Sequence, residues 1–192
     1  MTIDLREQAT ENLRFIRGAM ERAERLSAVS GAGLMLVGLV VVVAMALAAD
    51  LNHLRERLTI WIGAAFVALV VGGLATWLKA RRNQLMLIGD PGRRFLLCLI
   101  PVLIVGGVMT SALWRTPDVG LLPGLWTMLY GCGVLAAGTY AVPPIMHMGA
   151  CLVVSGLFTH AVPEEWSNLL LGLSFGVLNL YFGYQVYRHH GG

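Results

Sequence analysis

The sequence predicts an all-helical membrane protein with six transmembrane helices in three up-down hairpins, preceded by an amphipathic cytoplasmic helix. Charged residues make up 13% of the 192 residues, about half of the share in a soluble domain. These charges are concentrated in short segments, and the apolar runs between them approach the ~20 residues that cross a bilayer. The runs are continuous rather than alternating, which indicates helices and not a β-barrel.

The segment 1–27 is polar and predicts an amphipathic helix in the cytoplasm or at the membrane interface. Its apolar residues recur at spacings of three and four, which places them on one helical face: Leu5, Ala9, Leu13, Ile16, Met20 and Ala23. This face can lie on the membrane or the bundle, or it can dock a second copy or a cytosolic partner. The remaining segment, 28–192, is the predicted transmembrane domain.

Turn signals divide the transmembrane domain into its helices. The first apolar run is longer than a signal-peptide core and follows a segment that contains acidic residues, so we interpret it as a retained span. Asp50–Arg57 is a predicted loop. Pro143 and Pro144 interrupt the chain before the fifth span, and Pro144 can serve as the first residue of the next helix. The predicted spans cover residues 28–49, 59–78, 95–114, 121–142, 145–161 and 168–187.

The distribution of lysine and arginine predicts the orientation. Eleven of these residues lie in the N-terminal segment, the loop between spans two and three, and the C-terminal tail, whereas only Arg55, Arg57 and Arg115 lie on the opposite side. Positively charged loops stay in the cytoplasm. Both termini are therefore expected to be cytoplasmic, and tryptophan and tyrosine residues fall near both predicted interfaces, as an aromatic belt requires.

Several function classes lack their usual sequence signals. No predicted span carries Asp, Glu, Lys or Arg near its centre, which disfavours ion-coupled transport. No HExxH, GxSxG or P-loop motif occurs, and we predict neither an enzyme nor a bound cofactor. The basic residues that raise the pI flank apolar spans, so they indicate orientation rather than nucleic-acid binding.

Small residues at helical spacing are the clearest pattern within the spans. They allow helix backbones to approach closely, which drives helix association in lipid. Such strips serve internal packing or an oligomer interface, and we predict a homodimer that uses span two or the N-terminal helix. In span five, Gly149 and Gly156 are expected to face span four or six. The two principal strips are Ala64, Ala68, Gly72 and Thr76 in span two, and Gly172, Gly176 and Gly183 in span six.

Polar residues at depth are the candidate ligand-binding groups. Asn179 lies near the middle of span six, and its amide needs partners from neighbouring helices. Its expected role is interhelical hydrogen bonding, with ligand binding as the alternative. Its candidate partners are Ser174, Thr127 and Tyr130.

Two clusters contain residue types that can bind metals. Thioether and thiolate groups suit Cu(I), and a His and a Glu four residues apart could share a divalent ion. An interfacial His with apolar Met residues, and a hydrated loop surface, explain the clusters equally well, so no metal is predicted. The clusters are Met146, His147, Met148 and Cys151, and His160 with Glu164.

Short segments along most of the chain resemble an uncharacterised family of small six-helix bacterial inner-membrane proteins. The resemblance implies the architecture of a six-helix inner-membrane protein and does not imply a particular activity. Members commonly have His at the position of Asn179. The matching segments are Ile16–Ala23, Leu26–Gly31, Arg94 with Pro101, Leu129–Gly131, and Gly172–Asn179 with Tyr181 and Gly183.

Two functions remain open from the sequence. The first is a non-enzymatic membrane protein that acts through helix contacts, as a scaffold, accessory subunit or sensor. The second is a small transporter or channel for a neutral or apolar solute, suggested by the 23 glycines and the polar residues at depth. A polar cavity that reaches Asn179 would favour transport, whereas a dry core with close small-residue contacts would favour the first function.

Overall fold

The computed structural model describes residues 10–16, 18, 29–82 and 90–190, and within these ranges it contains helices and no strand. The sixth span consists of three consecutive helical segments, Ser167–Leu171, Gly172–Val177 and Leu178–His190. Among the described residues, six helical stretches are long and apolar enough to cross a membrane, which confirms the predicted all-helical membrane fold. The elements are α1 (Gly31–Ala49), α2 (Leu54–Arg82), α3 (Asp90–Leu113), α4 (Leu122–Gly138), α5 (Pro143–Ala161), α6 (Ser167–Leu171), the π-helical segment (Gly172–Val177) and α7 (Leu178–His190).

Four spans form the centre of the bundle. The closest pairings are α4 with α5 and α1 with the sixth span, and α5 also contacts α7. The central cluster of buried side chains comes from α4, the turn before α5, α5 itself and α7, and includes Val134, Ile145, Leu152 and Phe182. In contrast, α2 packs mainly on α1 and α3 mainly on α4, so both are peripheral. The three-hairpin arrangement of the whole chain stays a prediction.

The connection between α1 and α2 is shorter than predicted. Helix α2 begins at Leu54, so only residues 50–53 separate it from α1. The His53 carbonyl accepts hydrogen bonds from the N–H groups of Glu56 and Arg57, 3.1 and 3.2 Å away, and this starts the helix within the polar segment. The polar residues of this segment therefore do not mark where α2 begins.

Proline and serine set other helix boundaries. Helix α5 begins at Pro143, one residue before the position expected from the sequence, because proline fits the first turn, where the N–H has no partner. The Ser30 hydroxyl accepts from the N–H of Gly33 at 3.2 Å and caps α1. Pro101 lies inside α3, and transmembrane helices tolerate such breaks.

Only part of the predicted N-terminal helix lies within the described residues. Residues 10–16 and 18 are helical, and the side chains of Leu13, Phe15 and Ile16 are exposed. The rest of the predicted 1–27 helix lies outside the described residues.

Candidate functional site

The small-residue strip of span two lies on the inner face of α2. Ala64, Ala68, Gly72 and Thr76 are half-buried on a helix whose other residues are mostly exposed. A β-carbon built on Gly72 would lie 3.3 Å from Cγ2 of Val37 in α1. This part of the strip therefore contacts α1 within one chain.

The glycines of the sixth span also face α1. A β-carbon on Gly172 would collide with the Met45 side chain, and one on Gly176 would lie 3.3 Å from Cγ2 of Val42. At Gly183 it would lie 2.9 Å from the backbone nitrogen of Met35. These contacts run in opposite directions along the two helices, so α1 and the sixth span are antiparallel and closely packed at the backbone.

The most extensive interface joins α4 and α5 and is also built on glycine. A β-carbon on Gly131 would lie 2.7 Å from the backbone nitrogen of Val153, and one on Gly156 would lie 2.8 Å from that of Met128. Gly149 packs against the backbone of Leu135. The prediction that the glycine face of span five packs against span four or six is confirmed, with span four as its neighbour.

The glycines at these interfaces recur every seven residues. The strips predicted from the sequence contain only some of these glycines. Small residues repeated every seven positions keep two helices in contact when they coil around each other. The sequence contains this signal, and strips with a spacing of four residues include only part of it. The pairs and the triplet are Gly31 and Gly38, Gly124, Gly131 and Gly138, Gly149 and Gly156, and Gly176 and Gly183.

Asn179 is enclosed by the central spans. Its side chain is 1% exposed, and its Nδ2 donates to the Phe175 carbonyl at 2.7 Å. Its Oδ1 is buried without a hydrogen-bond partner among the described residues. Among the described residues, none of the three candidate partners forms a hydrogen bond with the Asn179 side chain. The bond to its own helix replaces the expected interhelical one.

The three candidate partners of Asn179 lie in the same core with other contacts. Thr127 is fully buried and donates to the Pro123 carbonyl at 2.8 Å. The Tyr130 ring packs against Phe175, with ring centroids 5.4 Å apart. Ser174 is hydrogen-bonded to Ser155 of α5. This Ser–Ser contact is a side-chain hydrogen bond between the sixth span and α5.

The residues considered for metals differ in exposure. Met148 is buried, whereas Met146, His147 and Cys151 are exposed. Among the described residues no group of three or more His, Cys, Asp or Glu side chains could hold a metal ion. Glu164 instead pairs with Arg57 at 3.8 Å.

One end of the bundle, formed by residues 50–61, 114–121 and 162–168, is held together by polar contacts. We call it the Trp114 end. Trp61 donates from Nε1 to Oδ1 of Asn168 at 3.0 Å, and Asn168 donates from Nδ2 to the Met45 carbonyl at 3.2 Å. These bonds connect α2, α6 and α1. They fix the start of the otherwise peripheral α2.

A lateral groove opens between α2 and α3 next to this end. It is an open groove with a volume of about 320 Å³. The Trp126 indole lines it, and its Nε1 donates to the Thr110 hydroxyl at 2.8 Å. The lining residues are Ile62 of α2, Gly107, Thr110 and Ser111 of α3, Trp114 at the end of α3, and Trp126 of α4.

Comparison with protein-family profiles, curated proteins and solved structures finds no match to this chain.

Proposed function

We propose that the chain is a non-enzymatic integral membrane protein that acts through helix–helix contacts, as a scaffold, accessory subunit or sensor. The observation that carries this proposal is the burial of its central polar residues. Asn179 is 1% exposed and Thr127 is 0% exposed, so the described residues enclose both side chains almost completely. A polar solute path through the centre would need space beside these side chains, so this burial argues against the alternative of a small transporter or channel.

The peripheral helices supply the surface for such contacts. Helices α2 and α3 are the least buried of the six spans and expose large apolar side chains such as Phe66, Leu69, Ile104 and Val108. Lipid covers apolar side chains as well as protein does, so association here rests on close packing rather than on a hydrophobic drive. A membrane partner or a second copy would meet the chain on these faces, and a cytosolic partner would meet the N-terminal helix.

The proposed location is the bacterial inner membrane, with both termini in the cytoplasm. The distribution of lysine and arginine along the sequence supports this orientation, because Arg55, Arg57 and Arg115 belong to the Trp114 end and the other eleven belong to the segments predicted to be cytoplasmic. At the opposite end the Arg81 guanidinium lies 4.3 Å from the centre of the Trp77 ring. The bilayer is the expected surrounding, and no nucleic-acid partner is proposed.

Two measurements together test the function. A photoreactive residue placed at Phe66 or Ile104 is expected to give protein adducts of one recurring mass in native membranes. The same residue at Phe158, which is also exposed but lies on α5, should give fewer. Liposomes containing the purified chain should be no more permeable to glycerol or urea than empty ones. Solute flux above that background, removed by Asn179→Leu, would reject the proposal in favour of a channel.

A further inference from the structure

We propose that the groove between α2 and α3 binds one zwitterionic phospholipid with a primary ammonium group, of the ethanolamine class. Part of one acyl chain would occupy the groove, the phosphate would meet Arg55 and Arg115, and the ammonium would face the carboxylates of the Trp114 end. This inference concerns a lipid ligand and is independent of the proposed protein contacts.

The polar groups of the groove are already satisfied. Thr110 donates to the Gly106 carbonyl at 2.8 Å while it accepts from Trp126. The Ser111 hydroxyl donates to the Val108 carbonyl at 2.7 Å. Because neither hydroxyl needs a polar ligand, the groove offers an apolar lining, which suits a hydrocarbon chain.

The groove has room for part of an acyl chain. Its volume of about 320 Å³ is smaller than a whole chain, so the remainder of the chain would lie in the surrounding lipid. A β-carbon on Gly107 would meet nothing within 4 Å, so the space beside it is open. Ile62, Gly107 and Ser111 are exposed, and the groove therefore opens sideways toward lipid.

Two arginines adjoin Trp114, which lines the groove. The Arg55 Nε donates to the carbonyl of Trp114 at 3.2 Å, which holds its guanidinium beside a lining residue. Arg55 is exposed, so its other guanidinium N–H groups are accessible to a ligand. Arg115 follows Trp114 directly and is exposed. Guanidinium groups bind phosphate through paired hydrogen bonds.

The charge of the surrounding surface selects the headgroup. This end carries five carboxylates against three arginines, and one carboxylate and one arginine form the Arg57–Glu164 pair. The surplus of negative charge disfavours an anionic headgroup. An ethanolamine ammonium can donate hydrogen bonds to carboxylates, which choline cannot. The carboxylates are those of Asp50, Glu56, Asp118, Glu164 and Glu165.

The test is native mass spectrometry of the full chain released from nanodiscs of equal parts dioleoyl phosphatidylethanolamine, phosphatidylcholine and phosphatidylglycerol. We expect one retained phosphatidylethanolamine, about tenfold above phosphatidylglycerol. Gly107→Leu fills the groove and should lower retention of every phospholipid about tenfold. Gly73→Leu, at a second glycine with open space beside it, is the matched control and should retain the lipid.

The arginines are tested with a second pair of variants. Arg55→Gln with Arg115→Gln should lower phosphatidylethanolamine retention about tenfold, whereas Arg81→Gln with Arg188→Gln, at the opposite end, should not. Preferred retention of phosphatidylglycerol or phosphatidylcholine would overturn the proposal, as would unchanged retention in Gly107→Leu. A second copy of the chain in the groove, seen as a dimer mass that Gly107→Leu abolishes, would overturn it as well.

Discussion

Asn179 is a buried polar residue whose hydrogen bonding is only partly satisfied among the described residues. Its Nδ2 is bonded, but its buried Oδ1 has no partner among the described residues, so the side chain contributes less than a fully satisfied amide. Hydrogen bonds between residues inside membrane proteins average only about 0.6 kcal/mol. The residue is therefore tolerated at its position rather than required for folding.

We predict that Asn179→Ala lowers the free energy of unfolding by about 1–2 kcal/mol, the combined effect of one lost bond and a small cavity. Asn179→Asp should cost about 3–5 kcal/mol when ionised, because it places a charge without a partner in the core. Reversible unfolding in mixed micelles measures both values. A larger loss for Ala than for Asp would mean that Oδ1 has a partner.

At the scale of helices, glycine determines which pairs pack closely. Gly156 lies against the Met128 backbone, and Gly63 on α2 has nothing within 4 Å of a β-carbon. Gly156→Ala should destabilise the protein by about 1–3 kcal/mol, since the backbones must move apart. Gly63→Ala should be neutral or stabilise it by up to about 1 kcal/mol, because alanine favours the helix. Mixed-micelle unfolding of both variants measures these opposite signs, and equal losses would contradict this account.

Most of the fold follows from hydropathy, because a membrane imposes one length on every span. The ends were less predictable: α2 extends from Leu54 to Arg82 since charged residues can continue a helix beyond the bilayer. That the Ala68 and Gly72 strip faces inward could not be predicted from the sequence, because it depends on where α1 packs. The groove required the three-dimensional placement of α2, α3 and Trp126, which are distant in sequence.

For the whole molecule, orientation is the first prediction. In a cysteine-free background, Asp118→Cys should react with an impermeant maleimide added outside intact cells. Arg93→Cys should react only after the membrane is opened. The reason is the accumulation of positive charge on the cytoplasmic side. The opposite labelling pattern would place the Trp114 end in the cytoplasm.

Self-association is the second prediction at this scale. We predict a homodimer in mild detergent and in nanodiscs, measured as molar mass by light scattering. Because Gly72 contacts α1 within the chain, Gly72→Leu should lower stability, whereas Phe66→Ala and Val70→Ala on the exposed face of α2 should shift dimer toward monomer. Wild-type protein that is monomeric in both environments would end this proposal.

The π-helical segment gives the sixth span a tolerance to changes in length. Each hydrogen bond in Gly172–Val177 spans one residue more than in an α-helix, so the segment holds a surplus residue. Removing Leu173, which is exposed, would let the segment become α-helical while Asn179 and Phe182 still face the core. Helix α5 has no surplus residue at the exposed Val154. Removing Val154 would turn each later side chain by about 100° about the helix axis, so Gly156 would no longer face α4. The first deletion should give folded, protease-resistant protein in membranes, and the second should not.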